Sequence, residues 1–211
     1  MQYTQTEIQQ MDRVKRLKLI NSLSGVKPGN LIGSISDKGE ANVAVFSSVI
    51  HLGSDPALLG FISRPTGEIS RHTYENIMEN GSYTINHIPK SHIKNAHYTS
   101  AKFDRKVSEF EACGLTASYY EGIQAPFVEE SKLKIGMQFV EAIPIPRNGT
   151  VLMIGEVVFL DIMNKAMTKD HDVDLSAIQG VGISGLNTYY GLEKLERFPY
   201  VRLDEIPDFE K

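Results

Sequence analysis

The chain has 211 residues and a single cysteine, Cys113. One cysteine excludes an internal disulfide and any CxxC metal knuckle, and it fits a reducing, cytoplasmic setting. The six histidines stand at 51, 72, 87, 92, 97 and 171, with no HxxxH or HExxH spacing, so no metal site is expected. No GxSxG elbow offers a nucleophilic serine, and Cys113 has no histidine near it in sequence. Gly180-Val181-Gly182 lacks the third glycine of a dinucleotide fingerprint and the acidic residue that should follow it. No apolar run approaches the roughly 18 residues of a spanning helix, and the polar start MQYTQTEIQQ does not read as a signal peptide. Charge is nearly balanced, with 22 Lys+Arg against 26 Asp+Glu, a net −4. The two signs are interspersed, which leaves no basic stripe for nucleic acid. The remaining partners are small molecules or a second copy of the chain.

What is present is mostly β punctuation. Residues 31–36 read as a strand, Asp37-Lys38-Gly39 as a hairpin turn, and 42–51 as the returning strand, buried on both faces. Ser54-Asp55-Pro56 marks another turn and 58–63 a third strand, a spacing that argues for a meander or Greek key. Further strands are expected at 82–88, at 135–145 (ended by Pro144 and Pro146) and at 150–162, the last two joined at Asn148-Gly149. Gly155 within the last strand signals a bulge or a close backbone approach. Helices are expected at 6–20, boxed by Thr6 and Gln9, at 70–80, capped by Ser70 and ended by Gly81, and at 91–101. Residues 102–133 read as connection and loop. From Met163 the chain turns polar and irregular, with glycines at 180, 182, 185 and 191, and is expected to lie over a site or a partner subunit. Six or seven strands with peripheral helices predict a mainly β chain folded as a closed or nearly closed antiparallel barrel.

Two stretches suit an anion. Residues 42–48 (NVAVFSS) put small residues and two hydroxyls on and after a strand. Ser47 and Ser48 either cap backbone groups at the strand end or present one hydroxyl to a ligand, since neighbours in a strand face opposite sides. Residues 64–73 (RPTGEISRHT) bring Arg64, Thr66, Arg71 and Thr73 to the mouth of the helix expected at Ser70. Guanidinium groups and the free N–H groups of a helix start are the donors that a phosphate needs. The plainer alternative is a solvated loop with an ordinary cap.

The order of these motifs resembles the flavin reductase-like group of FMN-binding split-barrel proteins, which includes flavoredoxin. The matching pieces are residues 42–48 with their paired serines, Ser54-Asp55-Pro56, strand 58–63, the polar loop 64–73, Glu79-Asn80-Gly81, strand 82–86 and Ile154-Gly155-Glu156-Val157. The resemblance covers about residues 28–162. It implies a Greek-key split β-barrel in a single domain over 1–211, with a lead-in at 1–27, the barrel at 28–162 and a C-terminal extension at 163–211. It further implies a homodimer with non-covalent FMN at or near the dimer interface. By position, Asn42, Val43 and Ala44 would line the isoalloxazine, mainly through backbone groups. Ser47 or Ser48, with Arg64, Arg71 and Thr73, would hold the phosphate. The activity implied is NAD(P)H:flavin reduction, with NAD(P)H as a transient donor. Two positions depart from the family pattern: Ala57 stands where many members have a second proline, and Asn148-Gly149-Thr150-Val151 carries no histidine where many have one beside the nicotinamide. The second departure favours an alternative, a flavoredoxin-like electron carrier served by a redox partner protein. A flavin-binding module without catalysis is the third reading.

Overall fold

A computed structural model describes residues 1–65 and 70–209. Its centre is a seven-stranded antiparallel sheet built from β2 (Asn30–Ile35), β3 (Ala41–Phe46), β4 (Ile50–Ser54), β5 (Ala57–Ser63), β6 (Ser82–His87), β9 (Leu133–Ile145) and β10 (Thr150–Ile162). The order is β3-β2-β6-β9-β10-β5-β4. The two edge strands, β3 and β4, are therefore consecutive in sequence and joined by only Ser47, Ser48 and Val49. In a flat sheet those edges would stand about 29 Å apart, six spacings of roughly 4.8 Å. From Phe46 to Ile50 the chain can reach at most about 14 Å. The sheet must therefore roll until its edges approach each other, and this makes the barrel.

This corrects the expectation of one strand over 42–51. The run is uniformly β-prone, but it is cut at Ser47, where the chain leaves one edge for the other. Ser48 fastens the crossing: its hydroxyl accepts from the Ile62 N–H at 3.1 Å and donates to the Ile62 carbonyl at 3.3 Å.

Inside the barrel, Ile32, Phe61, Ile77, Tyr83, Met137 and Met153 are fully or almost fully buried. Phe46 and Tyr83 both meet Phe61 edge-on, with ring centroids 5.0 and 5.7 Å apart. Gly155 sits at a register shift between β9 and β10, and a methyl on it would collide with the Tyr83 hydroxyl. Both readings of that glycine, bulge and close approach, hold. Pro144 does not end β9, which runs on to Ile145. Pairing with β6 stops at Gln138, so the proline lies on an open edge where a missing N–H is tolerated.

The N-terminal region forms two helices rather than one, α1 (Gln5–Gln10) and α2 (Arg13–Leu23). The box is Thr4 with Glu7, two residues earlier than Thr6 with Gln9. Asp12 starts the second helix by accepting from Val14 and Lys15 N–H, each at 3.0 Å. Helix α3 spans His72–Asn80 and ends on Gly81 at φ 74°, as expected. Its N-cap is Arg71, not Ser70, whose hydroxyl bonds the Glu75 carboxylate at 2.8 Å instead. The helix expected over 91–101 is shorter, α4 (Ile93–Tyr98), preceded by a 3-10 turn. Beyond it lie α5 (Glu109–Ala112) and the short pair β7 (Ala117–Ser118) and β8 (Phe127–Val128).

The C-terminal stretch is less irregular than its composition suggests. β11 (Val181–Ser184) and β12 (Thr188–Gly191) form a hairpin, and β11 also pairs with β1 (Lys27–Pro28). This three-stranded sheet packs near a second apolar cluster of Leu31, Val43, Ile88, Phe110 and Ile183 on the outside of β3.

Candidate functional site

The crossing between the sheet edges leaves a cavity of about 490 Å³. That is within the roughly 300–1,000 Å³ that hold small ligands and cofactors. Its walls come from β3, the crossing, the end of β5, the first turn of α3, the segment after α4, and β11 with its turn. Asn42, Ala44, Ser47, Ser48, Arg64, Arg71 and Thr73 all line it. Val43 does not: its side chain is fully buried behind the wall, in the Leu31 cluster. Thr66 lies outside the described residues.

At one end the groups suit an anion. Arg64 is exposed, and among the described residues neither Arg64 nor Arg71 enters an ion pair. The Arg71 Nε donates to the Pro65 carbonyl at 3.3 Å. As first-turn groups, the N–H of His72, Thr73 and Tyr74 have no acceptor one turn back in α3 and carry the positive end of its dipole. Ser48 spends its hydroxyl on Ile62, which leaves Ser47 as the serine free for a ligand. Glu75 at this helix start is already neutralised. Burial opposes its charge, but hydrogen bonds from Ser70 and the Arg71 N–H, with Arg105 alongside, hold its carboxyl below the usual carboxylate range. Its carboxylate lies 2.6 Å from the Arg105 guanidinium.

Along β3 two backbone N–H groups are taken by side chains. The Val45 N–H donates to the Thr99 hydroxyl at 2.9 Å, and the Val43 N–H donates to the Glu109 carboxylate at 3.4 Å. The Asn42 amide fits its surroundings with its nitrogen turned to Glu109, 3.1 and 3.2 Å from the two carboxylate oxygens. Its oxygen then accepts from the Thr73 hydroxyl at 3.1 Å. A chain of hydrogen bonds so runs Glu109–Asn42–Thr73 and ties α5, β3 and the start of α3 into one wall.

Sequence reasoning missed Thr99, Lys102, Phe103 and Glu109, whereas Ile183 and Leu186 line the cavity from the C-terminal stretch expected to lie over a site. Thr99-Ser100-Ala101-Lys102 repeats the mix of hydroxyl, small and basic residues seen at 64–73, and that signal was available. Glu109 and Ile183 carry none, since they arrive from far along the chain. Among the described residues no group of three or more His, Cys, Asp or Glu could hold a metal ion, and no helix is long and apolar enough to cross a membrane.

A family model for the flavin reductase like domain matches residues 26–172. The chain is 46% identical to a structure from Shewanella frigidimarina, provisionally described as a flavin reductase with split barrel domain. The match covers 95% of this chain and 100% of that one, with a TM-score of 0.91. It is 19% identical to nitrilotriacetate monooxygenase component B from Bacillus cereus, over 94% and 98% of the chains, with a TM-score of 0.83. It is also 19% identical to flavoredoxin of Desulfovibrio vulgaris, over 83% and 92%, with a TM-score of 0.72. At 19% the last two show a shared fold alone. The extent of the family match and the 46% identity show more: the chain belongs to the flavin reductase like domain family, a flavin-related oxidoreductase group built on the split barrel.

Proposed function

We propose that the protein holds FMN in the cavity beside β3 and works as an FMN-dependent oxidoreductase, a NAD(P)H:flavin reductase. The observation that carries this reading is the meeting, in one cavity, of an anion end and a flat apolar strand edge. The anion end is Arg64, Arg71, Ser47 and the first turn of α3; the strand edge is Ala44, Val45 and Phe46. The residues fit the group. The arginines and helix N–H groups suit a phosphate. Ala44 is small enough for a ring to lie against the strand, and Phe103 and Leu186 can keep water from it. When bound, FMN supplies a ring that accepts a hydride or single electrons. The chain's own part is to bind and orient: the guanidiniums fix the phosphate, the β3 wall sets the ring plane, and the Glu109–Asn42–Thr73 chain holds that wall to α3.

The reading includes a homodimer in the cytoplasm. The edge strand β4 leaves Ile50 and Leu52 exposed, and Val158 and Leu160 on β10 are exposed too, which supports a partner copy over part of this surface. The single cysteine supports a reducing compartment. A flavoredoxin-like carrier is the second reading. It is favoured by the absence of a histidine from the β9–β10 turn, where Thr150 reaches the cavity.

The absorption spectrum of the purified protein, with FMN added and then NADH or NADPH under argon, separates these. Flavin bands that survive gel filtration and bleach with a nicotinamide nucleotide support the reductase. Bands that survive but do not bleach favour the carrier. No uptake of FMN removes both.

A further inference from the structure

Glu109 is an acid in an unusual place. It sits at the start of α5, is only 5% exposed, and lines the cavity. A buried carboxylate ordinarily has a cation beside it. Among the described residues Glu109 forms no ion pair; its partners are neutral, the Val43 N–H, its own N–H and the Asn42 amide. The charged and titratable groups around it are few. Cys113, at the end of α5, has its thiol pushed up by burial and further by the Glu109 carboxylate, and Glu111 on the same helix is exposed. Packed against α5, β3 offers no charge. Across the cavity are Arg64, Arg71, His72 and Lys102, none of them paired with it. Neutral donors are a weak counterweight to a buried negative charge, so a negative charge added to the cavity beyond that of an arginine-held phosphate would push the carboxylate towards taking a proton.

We propose that Glu109 is a redox-linked proton acceptor: when the bound flavin takes two electrons, its carboxylate binds a proton from solvent. This rests on the FMN reading above. The balance is simple. An external two-electron reductant would be oxidised, and bound FMN, holding its two electrons and one proton, would supply one added negative charge to the cavity. Glu109 takes the second proton, so the cavity gains no net charge beyond that of the oxidised state. No covalent bond to the protein forms. Burial already pushes the carboxyl above the usual carboxylate range, with hydrogen bonds from its own N–H and that of Val43 pulling it partly back. Proton uptake thus needs only a further push from the flavin. The effect is to ease flavin reduction at lower pH through a residue that need not touch the reacting atoms.

The test is the midpoint potential of the FMN-loaded protein as a function of pH, for wild type and Glu109→Gln. For a two-electron couple each proton bound on reduction adds about 30 mV per pH unit. The wild type should show a pH range in which its slope exceeds that of the glutamine variant by about 30 mV per unit. Slopes that run parallel across the whole range would overturn the proposal. Reduced-minus-oxidised infrared spectra of the wild type alone, with dithionite as reductant, give a check that needs no variant. A protonated carboxyl C=O band should grow in on reduction, and its absence would equally count against the idea. If FMN binds tightly but neither signal appears, only the role of Glu109 falls. If FMN does not bind, the functional reading falls and the proposal with it.

Discussion

Ser47 and Ser48 are neighbours with different work. The Ser48 hydroxyl bridges the Ile62 N–H and carbonyl and closes the barrel, whereas Ser47 faces the cavity with its hydroxyl uncommitted among the described residues. Ser48→Ala should therefore lower unfolding stability by about 1 kcal/mol, the usual net worth of such a bond, and leave FMN affinity nearly unchanged. Ser47→Ala should do the reverse. Chemical denaturation and FMN fluorescence titration of both variants would show whether the roles divide in this way. At the same end Arg71→Ala should weaken FMN binding by about 1.5–3 kcal/mol, the value of a hydrogen bond to a charged group. An unchanged dissociation constant would remove Arg71 from the site.

Many elements follow local signals in the sequence. The turns at Gly39 and Gly149, the C-cap at Gly81 and the long strand over Thr150–Ile162 all stand where turn chemistry and alternation put them. The caps expected at Thr6 and Ser70 failed locally, while the failures that shape the barrel were non-local. Nothing in VAVFSSVI says that the chain changes sheet edge at Ser47, because β propensity measures fit to a pleated surface and not which neighbour supplies it. The β11–β12 hairpin is local, turned at Gly185, and was missed; only its pairing to β1, about 150 residues earlier, was beyond reading from the sequence. The candidate site divides in the same way. Its arginines and hydroxyls were legible as a cluster, but Glu109 and Ile183 reach the cavity only through packing. One packed contact is testable at this scale. β2 lies directly under the segment between β7 and β8, and a methyl on Gly33 would strike the Pro126 carbonyl. Gly33→Ala must move backbone, not a side-chain tip, and should cost about 2–3 kcal/mol in denaturant titration. A loss under 0.5 kcal/mol would mean that this segment packs more loosely than described.

For the molecule as a whole, pH acts through a group away from the cavity. His87, at the end of β6, is held by burial at a pKa of about 4, below the ordinary 6.5. The folded state therefore keeps it neutral, while the unfolded chain binds a proton below pH 6.5. Its contribution to stability is complete above 6.5 and declines as the pH falls towards 4. About 2 kcal/mol should be lost over that window, less than the full shift implies because the residue as a whole is half-buried. His87→Asn should flatten the stability profile between pH 4 and 6.5. A wild-type profile already flat there would contradict the assignment.

The proposed chemistry depends on one anchor, a phosphate that Arg64, Arg71 and the first turn of α3 would hold. The most direct measurement is the affinity of the protein for FMN against riboflavin, which share the ring and differ in the phosphate. Losing two or more charge-assisted hydrogen bonds should weaken riboflavin by about 3 kcal/mol or more, at least 100-fold. Equal affinities for the two would contradict the account, because the ring alone would then be what the cavity holds.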